Sequence, residues 1–463
     1  MFIHRSSELV LLERLYSSNP AEIFLLSGQH GVGKTSLLAR FCEGKKVIFH
    51  VCDLETELSA RTALSAEVNA FLIEDDRIHA VYPTWDEIFQ AFGKAASSER
   101  LIVVLDEFQN LVAAHPAILT ALQSAWEQFL KNWNLLLILS SSDAGLLENL
   151  AQVFQTQSPG SLITLSHLAP FSFKESLPFF KDYLDYDQVR TYAVFGGMPA
   201  YLNPIDPNSL LSDNIFNLIL QRTSYLYAEP RLTLQQTLRE PRLYFAILQA
   251  IAFGITRLRE IRQVTGIENA HVYLDNLRQL QIVVRTAPVT ESQPQQSRMG
   301  RYHIKDHFLR FWFRFVFPNY SLLELGEGKL VLEKYILPEL DTFVAPMFAD
   351  ICQEYFQELG FSGRLPYHPH VIGKWWNNQA EIDLLLLGDE TIEFVVCDWS
   401  VHPVGTTHLA ELERKAELLR PNFPGHQIHY GMCSRSGFTR QLVDSAHQRG
   451  DIGLHPLKRI IND

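Results

Sequence analysis

The stretch FLLSGQHGVGKTSLLARF, from Phe24 to Phe41, decides the fold of this chain. A short apolar run leads into Gly28-Gln29-His30-Gly31-Val32-Gly33-Lys34-Thr35-Ser36, and an amphipathic helical pattern follows. This is GxxxxGKT in a strand–loop–helix setting. The glycines let the backbone fold back so that its N–H groups face a polyphosphate. The helix start adds the positive end of its dipole. Lys34 is placed to reach the β- and γ-phosphates of a nucleotide, and the Thr35 hydroxyl is a Mg2+ ligand. A loop of this kind belongs to an α/β fold, with ligand chemistry at the C-terminal ends of parallel strands.

Working outward, RLIVVLDEFQNL supplies the partner element. The run Leu101 to Leu105 reads as a buried strand ending in Asp106-Glu107. Asp106 is the expected Mg2+ residue, acting through water, and Glu107 the residue that polarises an attacking water. Two acids here favour a hydrolase over a kinase. A third strand, in NLLLILSSSDAGLL, ends in Ser140-Ser141-Ser142-Asp143. KVIFHVCD (Lys46 to Asp53) and SLITLSHL (Ser161 to Leu168) complete a five-stranded, mainly parallel sheet between helices.

The chain has 463 residues, enough for about three domains, and is 47% hydrophobic, enough to bury sizeable cores. No apolar run reaches the roughly 18 residues of a membrane helix. MFIHRSSELVLLERL carries charges inside its apolar run and does not read as a signal peptide. Cys42, Cys52, Cys352, Cys397 and Cys433 are scattered without metal-ligand spacing, so free thiols of a cytoplasmic protein are expected. A net charge of −12 argues against a broadly basic nucleic-acid binder but leaves room for one local basic face.

Several further passages together resemble the archaeal-type ATPase family, a signal-transduction branch of AAA+-like P-loop NTPases that also occurs in bacteria. FIHRSSELVLLERL is similar to its N-terminal F-x-x-R-x-x-E-L element, which implies that Arg5 and Glu8 are structural or lie near the base. LAPFSFKESLPFF (Leu168 to Phe180) resembles the passage into a helical lid. FGGMPAYL (Phe195 to Leu202) resembles the GGxP element, which implies that Gly197 and Pro199 lie beside the nucleotide. The resemblance implies ATP and Mg2+ as cofactors, and a γ-phosphate sensor on the third strand, for which Ser142 is the best candidate. Family members commonly carry a Tyr-Gly-Arg triplet before the last sheet strand. FQTQSPGS stands there instead, with no arginine, which implies slow hydrolysis.

Pro241 to Val289 reads as three helical patterns and a strand, with Gly266 separating the second helix from the third. RYHIKD returns as a second strand after a Gln- and Ser-rich turn, giving a winged helix. Its recognition helix, Asn269 to Gln281, offers Asn269, His271, Asn276, Arg278 and Gln279. Arg285, Arg298, Arg301 and Lys305 surround the wing. DNA is one partner this face suggests; an internal regulatory role, with a protein as partner, is the other. The aromatics of YHIKDHFLRFWFRFVFPN recur at helical spacing and are expected in a core.

From about Leu330 the chain resembles the family's restriction-endonuclease-like module. That chemistry needs a metal-binding Asp, an acid two residues before a Lys on the next strand, and often an upstream helical Glu. Asp383 matches the first. Val396 and Asp398 stand at the acid and Lys positions, and Ala349 at the helical Glu. A degenerate nuclease fold is expected, with WWNNQAEIDLLLL and TIEFVVCDWS as a hairpin-like pair. His368 and His370 are expected at the surface. The resulting domain reading is 1–170 ATPase core, 171–235 helical lid, 236–325 winged helix and 326–463 nuclease-like module. The function expected is an ATP-binding, slowly hydrolysing switch. The alternatives are an ATP-coupled DNA-binding or DNA-processing protein with residual nuclease activity and a protein-docking module with structural nucleotide.

Overall fold

The computed structural model describes residues 4–18, 20–72, 81–96, 100–238 and 240–462. They divide into two compact units, Met1–Pro170 with Met198–Ala200, and Phe171–Gly197 with Tyr201–Asp463. Phe2, part of the opening element, lies outside the described residues.

The first unit is built on a fully parallel sheet of β1 (Glu22–Ser27), β2 (Val47–Val51), β3 (Leu101–Asp106), β4 (Leu135–Ser141) and β5 (Leu162–His167). Their spatial order is β2-β3-β4-β1-β5. The central strands are continuous apolar runs because both faces are covered. Ile23, Leu25, Val103, Leu105, Leu137 and Leu139 join one core with the helices Glu57–Leu72, Trp85–Ala95 and Ile118–Gln128. Phe24, Leu26, Ile102, Val104, Leu136 and Ile138 are buried on the other face. The two edge strands are the exception: Leu162 and Leu165 of β5 are each 45% exposed, and Val51 of β2 is 53% exposed. The expected strands are thus present and wholly parallel, with ends within one or two residues of the expected limits.

The second unit begins with short helices from Phe173–Ser176 to Tyr225–Thr237. Three helices follow, Pro241–Ala252, Leu258–Thr265 and Ala270–Gln279, with Gly266 in the left-handed conformation after the second. An antiparallel pair, β6 (Val283–Thr286) and β7 (Arg301–Ile304), completes this segment. The aromatic run is core, as its spacing predicts: Phe308, Phe311, Trp312, Phe313 and Val316 are fully buried, the last three in a π-helical turn.

The C-terminal segment is a mixed sheet, β8 (Val371–Trp376), β9 (Glu381–Leu387), β10 (Thr391–Asp398), β11 (Gln427–Ser434) and β12 (Ile452–Pro456), in the order β12-β11-β10-β9-β8. β8–β9–β10 are antiparallel, and β10–β11–β12 are parallel. The expected hairpin-like pair is present as β9 and β10, joined by Gly388-Asp389-Glu390, but its first strand is shorter than expected. The stretch WWNNQAEIDLLLL is not one strand: Trp375 and Trp376 close β8, Asn377 Oδ1 accepts from the Gln379 and Ala380 N–H groups in a turn, and β9 starts at Glu381. Alternation along the strands shows the two faces. Leu384, Leu386, Val395 and Cys433 join the core of the helix Leu340–Phe361. Leu385, Phe394 and Met432 pack with Leu409 and Leu412 of the helix Thr406–Ala416.

Candidate functional site

The strand order assembles the site in the first unit. β4 lies between β1 and β3, so its end separates the phosphate loop from Asp106. The loop hangs on this arrangement through Gly28 N–H, which donates to Ser141 O at 3.2 Å. Gly33 caps the helix Lys34–Cys42 at φ 95°, a conformation that side chains other than glycine's resist.

Lys34 is 3% exposed. Its Nζ donates to Gly28 O at 2.9 Å and lies 3.4 Å from the Glu107 carboxylate. Thr35 Oγ1 donates to Asp106 Oδ2 at 2.5 Å. The loop hydroxyl and the strand-end carboxylate, 71 residues apart in sequence, therefore meet directly. A hydroxyl beside a carboxylate is the hard oxygen donor set that Mg2+ takes, and a lysine at the loop's centre suits a polyphosphate. The residues present fit both. Gln29, His30, Gly31 and Val32 lie within the same loop and Ser36 in the first turn of the helix, with His30 and Ser36 exposed.

Two residues that sequence reading passed over hold the acids in place. Ser140 donates its hydroxyl to Asp106 Oδ1, and its Oγ accepts the Glu107 N–H at 3.2 Å. Gln109 Nε2 donates to Glu107 Oε2 at 2.5 Å, while its Oε1 accepts the Ser142 N–H at 3.3 Å. Glu107 itself sits in the left-handed region at φ 52°, turning the chain from β3 into the helix Phe108–Ala114. Ser142, the expected sensor, is exposed and reaches the acids through Gln109. Asp143 caps the next helix by accepting from Leu146 N–H at 3.0 Å. Gln109 and Ser140 were visible in the sequence, but their roles depend on β4 lying beside β3.

Arg5 is buried and donates to Val32 O at 3.4 Å and Ala169 O at 2.7 Å, with Glu8 3.2 Å away. Its guanidinium ties the phosphate loop to the chain leaving β5. Ala200 N–H donates to Gly31 O at 3.2 Å, and the Pro199 ring lies 3.9 Å from where a Gly33 Cβ would stand. The Met198–Ala200 segment thus packs on the loop. Gly197 belongs to the second unit. There a Cβ would lie 1.8 Å from Phe171 O, and Gly197 O accepts the Phe171 N–H at 2.8 Å.

The nuclease-like positions are less complete. Asp383 Oδ2 accepts the Cys397 N–H at 2.8 Å, and burial pushes its carboxyl up to about 7. Asp398 faces His408 at 3.6 Å and accepts the Ser400 N–H at 2.7 Å. Among the described residues, no trio of histidines and carboxylates gathers around Asp383 within ligating distance. Ala349 is buried in the helix Leu340–Phe361, and His368 and His370 are exposed.

The basic residues around β6 and β7 are partly committed. Arg301 pairs with Glu381 at 2.9 Å and lies 4.5 Å over the Trp376 ring. Arg285 donates to Pro294 O at 2.7 Å. Arg278 pairs with Asp275 at 3.0 Å, and Lys305 donates to Gln281 Oε1 at 3.2 Å. Arg257, Arg259, Arg262, Arg285 and Arg298 line one open cleft, in which Arg257, Arg259 and Arg298 are exposed.

Residues 2–205 match a family described as an ATPase domain predominantly from Archaea. Residues 312–409 match one described as archaeal and bacterial proteins of unknown function. An uncharacterised protein of Methanocaldococcus jannaschii is 28% identical over 403 residues, 86% of this chain and 88% of its own length. An uncharacterised ATP-binding protein of the same organism is 45% identical over 47 residues, 10% of this chain and 80% of its own length. Among solved structures, a Walker-type ATPase of Pyrococcus abyssi aligns with 68% of this chain and 96% of its own, at 21% identity and a TM-score of 0.48. The Aeropyrum pernix ORC2 protein aligns with 70% of this chain and 95% of its own, at 15% identity and a TM-score of 0.47.

Proposed function

We propose that this chain, a member of the archaeal-type ATPase family through residues 2–205 with a C-terminal domain of the family of unknown function over 312–409, is an ATP-dependent switch that hydrolyses its nucleotide slowly. The observation that carries the reading is the meeting of Lys34 and Thr35 with Glu107 and Asp106, at 3.4 and 2.5 Å. Thr35 and Asp106 would hold Mg2+, which would supply neutralisation of the phosphate charge. Lys34 is locked on Glu107 and on its own loop carbonyls. Phosphate oxygens offer it a stronger partner, and its transfer to them frees Glu107 to orient water and take a proton from it. Gln109 keeps Glu107 aimed, and Ser140 keeps Asp106 fixed. No arginine stands in QSPGS before β5, which supports a low rate.

In this reading the segments 171–235, 236–325 and 326–463 are a lid, a winged helix and a catalytically silent nuclease-like module, and the nucleotide state sets how they are presented to a partner. Steady-state ATP turnover, measured with Glu107→Gln as background, tests it. Slow turnover that disappears in the variant is expected; turnover that survives it overturns the assignment.

A second reading, a DNA-coupled ATPase, draws on the five-arginine cleft. Arginines without base-reading geometry bind phosphates regardless of sequence. Duplex DNA that accelerates ATP turnover in the wild type but not in Glu107→Gln favours it. Turnover indifferent to DNA favours a protein partner.

A further inference from the structure

Cys352, Cys397 and Cys433 are far apart in sequence and come from three elements: the helix Leu340–Phe361, β10 and β11. Their Sγ atoms all lie within 4.8 Å of one another. Cys397 and Cys433 are paired across the parallel strands, and Cys352 closes the triangle from the helix above. Cys352 and Cys433 are fully buried, whereas Cys397 is partly exposed. Among the described residues this is the one group of three or more such side chains that could hold a metal ion. Cys42 and Cys52, in the first unit, belong to no such group.

We propose that these three cysteines form a thiolate site for a soft cation, Zn2+ or Cu+. Metal–sulfur bonds of about 2.3 Å place ligating sulfurs about 3.8 Å apart, so the triangle needs to contract by roughly 1 Å at most. Soft thiolates select Zn2+ and Cu+ over Mg2+, which sets this site apart from the oxygen donors at Thr35 and Asp106. Three sulfurs complete a trigonal Cu+ site. For Zn2+ they leave a fourth position, and the exposed side of Cys397 is where water would take it. Each S–H that becomes a metal–sulfur bond releases its proton to solvent, so affinity rises with pH. The site lies on the sheet face that carries Leu384, Leu386 and Val395, so its ion would pin the helix to the two central parallel strands. It is independent of the nucleotide reading, and Asp383 is its neighbour through the hydrogen bond it accepts from the Cys397 N–H.

The test uses the full chain, purified anaerobically with its thiols reduced. Bound metal is quantified, and the apo protein is titrated with Zn2+, with Cu+ under a competing chelator, and with Co2+ as a spectroscopic probe. One equivalent of Zn2+ or Cu+ is expected, with thiolate-to-cobalt charge-transfer bands in the Co2+ form. Cys397→Ala should weaken binding by roughly 100-fold or more, while the Cys42→Ala/Cys52→Ala double variant keeps the equivalent. Should Cys397→Ala fail to fold, alkylation of Cys397 in the wild type replaces it: one equivalent of metal should block the reaction. A wild type that binds neither ion, bands that persist in Cys397→Ala, alkylation indifferent to metal, or a native Cys397–Cys433 disulfide would each overturn the site.

Discussion

At the scale of single residues, the nucleotide site is a set of mutual restraints. Lys34 and Glu107 hold each other, and in the proposed reading a bound phosphate would compete with Glu107 for the lysine. Glu107→Gln should therefore lower ATP turnover by about 100-fold or more while leaving affinity for a non-hydrolysable ATP analogue equal to or tighter than wild type. Calorimetry with the analogue checks the second half, and weaker binding in the variant would contradict the competition. Lys34→Ala should abolish binding. Ser140 and Ser142 separate two roles. Ser140 donates to Asp106 inside the core, whereas exposed Ser142 is tied to Gln109 by its backbone N–H. Ser140→Ala removes a buried hydrogen bond to a carboxylate, so it should reduce turnover by roughly 10-fold, more than Ser142→Ala does.

At the scale of elements, two packing arrangements carry consequences. The GGMP turn runs so close to Phe171 that a methyl group at Gly197 would collide with backbone rather than with a movable side chain. Gly197→Ala should destabilise the second unit by about 2 kcal/mol or more, read as a lowered thermal midpoint. Glu393, buried on β10, accepts a hydrogen bond from Tyr367 OH. Burial nevertheless pushes its carboxyl from 4.5 up to about 7. The folded chain then keeps a proton that the unfolded chain loses. The stability this contributes is complete below about 4.5 and is lost as pH rises to about 7. Glu393→Gln should flatten that part of the curve of stability against pH; an unchanged slope would place the titration elsewhere. Asp341 behaves in the opposite sense. Against the cost of burial, hydrogen bonds from Arg190, Arg435 and Trp399 hold it at about 2, so its contribution is lost as pH falls from 3.8 through about 2.

At the scale of the whole molecule, charge is unevenly placed. The chain is net acidic, yet one cleft collects five arginines. If DNA is the partner, Arg259→Ala and Arg298→Ala should each weaken binding uniformly across sequences and reduce the salt dependence by about one phosphate contact. Fluorescence anisotropy over a range of salt measures both. Binding that discriminates between sequences, or is insensitive to salt, would point away from this cleft. Among the described residues no helix is long and apolar enough to cross a membrane.

The phosphate loop and the Asp106-Glu107 pair were legible in the sequence because each is a contiguous segment whose chemistry dictates its own backbone. Five parallel strands were legible because buried strands are written as apolar runs. β8 and β12 were not: Gly373 and the two tryptophans blur one, and IGLHP is too short to carry a period. Ser140 rather than Ser142 at Asp106, and Gln109 between Glu107 and Ser142, follow from the insertion of β4 between β1 and β3, a fact of strand order that no local pattern encodes. The cysteines show the limit most plainly. Spacing along the chain made them unrelated thiols. Only the tertiary pairing of β10 with β11 beneath one helix made three of them neighbours, because contact between distant segments is set by the packing of whole elements.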